Sequence, residues 1–99
     1  MALADGLEVL LAGCERVLQG DAAFIAQLRA RGFTCASGYW AFRLPELHAW
    51  LNPALDYRPW RQRLYASDLN TRLRAFGAEI AIAENRGKTD ANLYCLQLL

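Results

Sequence analysis

The residues with which this chain could do chemistry are few: one histidine, three cysteines and a short Gly87-Lys88-Thr89 run. Histidine is the usual general base among side chains, which makes His48 the candidate, but catalysis also requires a partner that orients the ring. No such partner is identifiable in the sequence, and His48 falls in a helical stretch where a surface or half-buried imidazole is expected. A nucleophilic Cys35 would need an adjacent base or a helix N-terminus to lower its thiol pKa, and neither is evident. Cys14, Cys35 and Cys95 are odd in number, far apart and set among apolar or small neighbours, a pattern of reduced, mostly buried thiols. Neither paired cysteines nor a cysteine–histidine spacing is present to hold zinc. Gly87-Lys88-Thr89 lacks the upstream glycine of a phosphate-binding loop and precedes a strand instead of a helix. The expectation is a protein that is not an enzyme, with no metal and no cofactor.

Polar residues late in the chain carry a different chemistry. From residue 1 to 57 four arginines stand against six acids, a balance of −2; from 58 to 99 seven cations stand against four acids, a balance of +3. If Leu69, Leu73 and Phe76 face a core at helical spacing, the opposite stripe is Ser67, Asn70, Thr71 and Arg74. Arg pairs with guanine and Asn with adenine through two hydrogen bonds, so this stripe suits base edges in double-stranded DNA. Arg58, Arg61, Arg63, Arg72, Arg86 and Lys88 are the corresponding candidates for phosphate contacts. Asp68, in the first turn, opposes phosphate approach.

The elements that must position these residues follow from periodicity and punctuation. Leu3, Leu7, Leu10, Leu11, Cys14, Val17 and Leu18 recur at three and four, marking a helix that Gly20 ends. Asp21 reads as the N-cap of a second helix carrying Phe24, Ile25 and Leu28 towards Gly32. Residues 33–42 read as irregular with one short strand near Tyr39 to Phe42. A helix from Leu44 to Leu51 tolerates Pro45 in its first turn and stops at Asn52-Pro53. The next helix starts near Arg58. Ser67 reads as the N-cap of a further one that leaves through Gly77. Period two then takes over at Ile80 and Ile82, and again at Tyr94, Leu96 and Leu98, with a charged turn between, giving a hairpin.

The whole therefore reads as one α+β domain over 1–99, mainly α with a C-terminal β-hairpin. Residues 1–32 form N-terminal helices suited to dimerisation, since 55% hydrophobic content beside 21% charge leaves apolar surface for a homodimer interface. No apolar run reaches the roughly 20 residues of a membrane span, and the first residues lack the basic region of a signal peptide, so a cytoplasmic protein without membrane contact is expected.

The order of a helix pair followed at once by a hairpin resembles winged helix-turn-helix proteins over about residues 43–98. The resemblance rests on Ser67-Asp68-Leu69-Asn70-Thr71-Arg72-Leu73-Arg74-Ala75-Phe76-Gly77, then the strand, Asn85-Arg86-Gly87-Lys88 and Asn92-Leu93-Tyr94-Cys95-Leu96. It implies a DNA-binding module, such as a small transcriptional or replication regulator. In that family the helix before the wing enters the major groove and the hairpin loop touches the DNA nearby. The alternative is a protein–protein interaction domain on the same scaffold, with the aromatic segment from Phe33 to Trp60 as its partner surface; near-neutral net charge favours it. Trp40, Trp50, Trp60, Tyr39 and Tyr57 suit base stacking in principle, but aromatic residues of a small domain more often fill its core.

Overall fold

A computed structural model describes residues 6–99. Helices α1 (Leu7–Leu18) and α2 (Ala22–Ala30) lead into strands β1 (Thr34–Ala36) and β2 (Tyr39–Phe42). Helices α3 (Leu44–Leu51), α4 (Tyr57–Ala66) and α5 (Leu69–Arg74) follow, then strands β3 (Ala78–Glu84) and β4 (Leu93–Leu98). Leu3, placed on the first helix by its spacing, lies outside the described residues. The punctuation works as its chemistry dictates. The Asp21 carboxylate accepts from the Phe24 amide at 3.1 Å and caps α2. Asn52 ends α3 in the left-handed conformation, and Gly77 takes a φ of 75° at the exit from α5.

The architecture is α+β, as expected, and the C-terminal hairpin is present, but it is half of a larger sheet. The four strands form one antiparallel sheet in the order β1-β2-β4-β3. Residues 33–42, expected to be largely irregular, instead form a complete hairpin. Ser37-Gly38 is its turn: Gly38 has a φ of 79°, and its amide donates to the Val17 carbonyl at 2.9 Å. The turn is thereby tied to the end of α1. Three residues of β1 are too few to show a period in the sequence, so only the pairing reveals the strand.

Register decides which side chains enter the core. Cys35, Trp40, Leu96 and Ile80 lie in one row across the sheet, and Phe42, Tyr94 and Ile82 lie in the next row on the same face. The helices pack on this face. Trp40, fully buried, meets Phe33, Phe42 and Trp50 edge to face at 5.4–5.7 Å, each contact contributing about 0.5–1.5 kcal/mol beyond area burial. The opposite face carries small side chains in the row Thr34, Ala41, Cys95 and Ala81. The aromatic segment expected as a partner surface is therefore mostly interior, with Phe33, Trp40 and Trp60 buried. The apolar stripe of α1 is likewise spent within the chain: Leu10, Leu11, Cys14 and Val17 are buried, and Val9 is its exposed large apolar side chain. Among the described residues, no helix is long and apolar enough to cross a membrane.

Candidate functional site

Helix α5 is only six residues long and buries Leu69 and Leu73. Its polar stripe divides. Thr71 and Arg74 are exposed, but Asn70 turns towards β3, where its Oδ1 accepts from the Ile80 amide at 2.8 Å and its Nδ2 donates to the Ile80 carbonyl at 3.0 Å. β3 is an edge strand, and both backbone groups of one strand residue point to the same side. The Asn70 side chain thus stands where a fifth strand would pair, satisfying the edge at Ile80 and blocking it. This is a correction to the outward Asn70 that base contact requires: both ends of the amide are already used. Ser67 is also committed, its hydroxyl donating to the Leu64 carbonyl at 2.7 Å and accepting from the Leu69 amide at 3.3 Å. The residue at the N-cap position of α5 is Asp68, one residue later than the sequence suggested. Phe76, expected on the buried stripe, is 49% exposed because α5 ends before reaching it.

Four of the seven late cations, Arg61, Arg72, Arg74 and Arg86, reach in several directions, each of these to an acid. Arg72 donates to Glu8 of α1 at 2.5 and 3.2 Å, and Arg74 pairs with Glu79 at the start of β3 at 3.7 Å. Arg61 meets Asp90 in the β3–β4 loop at 2.7 Å, where the Tyr57 hydroxyl also donates to Asp90 at 2.5 Å. These two donors, Tyr57 first, hold the Asp90 carboxyl below its usual range. Arg86 lies against Glu84 at 3.1 and 3.2 Å. Arg58 adds its positive charge to the surroundings of Asp90, and Arg63 and Lys88 are exposed on α4 and the loop respectively. The loop is itself organised by amides: Asn92, buried, accepts from the Arg86 N–H at 2.7 Å, and Asn85 accepts from that of Gly87 at 2.9 Å.

The chemically reactive side chains are held in quiet surroundings. His48 Nε2 lies 2.9 Å from the Leu55 carbonyl oxygen, with the ring packed edge-on against Tyr57 and Trp60. All three cysteines are free and buried. Desolvation raises each thiol, that of Cys14 to about 12, so thiolate is disfavoured.

Two apolar features were not anticipated from the sequence. The first is a cavity of about 260 Å³ between the sheet and α3 to α5. Its floor includes Leu10, Phe42, Leu44 and Leu47, all buried, and its rim includes the half-buried Leu64 and the exposed Tyr65. The Tyr65 and Tyr94 hydroxyls lie 2.6 Å apart at this site. Burial and the Tyr94 contact push the Tyr65 phenol up to about 12, keeping it protonated. A sealed apolar hollow of 260 Å³ would cost about 6 kcal/mol at ~24 cal/mol per Å³; opening to solvent on one side reduces that cost.

The second is the end of the molecule where α1, α5 and β4 finish. Phe76 shares a surface hollow with Leu18. The Leu99 amide donates to the Gly77 carbonyl at 2.8 Å, and Leu98 lies against Gly38. Leu98 and Leu99 are 62% and 70% exposed. Leu98 shares the core-facing side of β4 with Leu96 but lies beyond the helical cover, so the core's apolar character continues to the surface there. Comparison with known protein families, with curated proteins and with solved structures finds no match to this chain.

Proposed function

We propose that this chain is a non-catalytic interaction domain that binds a protein partner through the apolar end formed by Leu18, Phe76, Leu98 and Leu99. The observation that carries this reading is that three large apolar residues, Phe76, Leu98 and Leu99, are 49–70% exposed on chain segments that meet at the Gly77–Leu99 backbone hydrogen bond. Isolated exposed apolar residues are ordinary on protein surfaces, whereas adjacent ones supply the anchor that a partner's pocket can desolvate. Balanced ion pairs around the rest of the surface suit a polar rim.

DNA binding by a winged helix is the competing reading, and chain order favours it: α4 and α5 are followed at once by the β3–β4 hairpin. Its difficulty is electrostatic. Arg61, Arg72, Arg74 and Arg86 each have a carboxylate partner, so a phosphate backbone would have to displace an anion at each position.

One experiment separates them. The wild type and a Phe76→Ser/Leu98→Ser variant are compared for stoichiometric association, with itself by sedimentation and with co-purifying protein from its native source, alongside duplex DNA titrations over a salt series. The interaction reading expects a stoichiometric protein complex that the double variant loses. Its melting temperature should fall only modestly, because about half of each side chain is already solvated. A monomer with no partner, or DNA binding with a steep salt slope that the double variant retains, rejects it.

A further inference from the structure

We infer that the cavity between the sheet and helices α3 to α5 is a binding site for a compact, uncharged, mostly apolar molecule with one hydrogen-bond-accepting oxygen, engaged by the Tyr65–Tyr94 hydroxyl pair. This site shares no side chain with the apolar end, so neither proposal depends on the other. Protein interiors close to crystal-like density and rarely leave a void larger than a water molecule, yet six buried side chains here border about 260 Å³. An apolar cavity of ~150 Å³ accepts benzene, so this one fits a molecule of about ten non-hydrogen atoms. That volume is too small for a helix or a peptide strand.

The lining chemistry sets the class. Among the described residues, none that lines the cavity is charged, so an ionised ligand would shed its hydration without a counter-charge. The other polar side chains at the wall are spent: Ser67 on Leu64 and Leu69, Asn70 on Ile80. The tyrosine pair is different. The Tyr65 and Tyr94 hydroxyls lie 2.6 Å apart and Thr89 also hydrogen-bonds Tyr65, so three hydroxyls share two hydrogen bonds and one proton of the set is left for a further acceptor. A carbonyl or ether oxygen on an otherwise apolar molecule matches that single donor. Tyr65, the exposed member of the pair, places it where a ligand enters from solvent.

Acetophenone, ethylbenzene and benzoate are similar in size and differ in the property at issue: an acceptor oxygen, none, or a charge. Each is titrated into the ¹⁵N-labelled full chain by NMR. Acetophenone is expected to saturate with a Kd of about 1 mM or tighter, with shifts confined to residues around Leu44, Leu64 and Tyr94. Ethylbenzene binds more weakly, and benzoate does not saturate. Tyr65→Phe and Tyr94→Phe each weaken acetophenone about fivefold and leave ethylbenzene unchanged. Leu64→Trp fills the rim and removes both. Should that variant fail to give a folded spectrum, the tyrosine variants decide alone. Absence of saturation in the wild type, shifts centred elsewhere, benzoate binding as well as acetophenone, or equal weakening of both neutral probes by the Tyr→Phe changes overturns the inference.

Discussion

Replacing Asn70 by alanine removes both hydrogen bonds to Ile80 and exposes the edge of β3. A typical intramolecular hydrogen bond contributes about 0.5–1.5 kcal/mol net, so the pair amounts to about 1–3 kcal/mol. Ile80 is half-buried, and water will partly replace the lost partners, which places the expected loss near 2 kcal/mol. In a domain of this length that lowers Tm by about 10 °C. Urea and thermal unfolding followed by circular dichroism measure it, with Thr71→Ala as the control, because Thr71 is exposed and its removal should stay within about 0.5 kcal/mol. Asn70→Asp sharpens the test. Aspartate still accepts from the Ile80 amide but turns a second oxygen on the Ile80 carbonyl. At neutral pH it should therefore destabilise at least as much as alanine, and it should recover partly in acid when its carboxyl becomes a donor. If Asn70→Ala costs no more than Thr71→Ala, the edge-clasp assignment is wrong. Equal stability combined with a lost DNA sequence preference would restore the base-reading role.

Three further outcomes are expected. Trp40→Ala should lose about 3–5 kcal/mol in urea unfolding, since a fully buried indole with three edge-to-face neighbours leaves a hole its surroundings cannot close. Asp90 has a folded pKa depressed by Tyr57 and Arg61, so its contribution to stability is present above its unfolded pKa and lost as pH falls through the folded value. Accordingly, the Tm difference between wild type and Asp90→Asn should be largest at neutral pH and shrink in acid; a difference independent of pH would contradict it. Native Cys14, buried with its pKa raised to about 12, should resist iodoacetamide at pH 8 and react once urea unfolds the chain, read by mass spectrometry.

The sequence was most legible where the information is local. Asp21, Asn52 and Gly77 act on the backbone within a few residues, and the extents of α2 and α3 and the switch to period two at β3 followed closely from such signals. Burial of Trp40 and Trp60 was legible for a related reason, because large aromatic surfaces go inside in a small domain. What the sequence left undetermined depends on partners distant along the chain. β1 is three residues with no period of its own and becomes a strand only by pairing with β2, which in turn needs β4, more than fifty residues on. An arginine reads as a free cation until a fold sets Glu8 beside Arg72 or Asp90 beside Arg61, separations of 64 and 29 residues. Asn70 has the same composition whether it faces solvent or clasps Ile80; only the docking of α5 on the edge of β3 chooses. Caps and periodicity are properties of short segments, whereas cavities, ion pairs and edge protection belong to surfaces that exist only after those segments have packed.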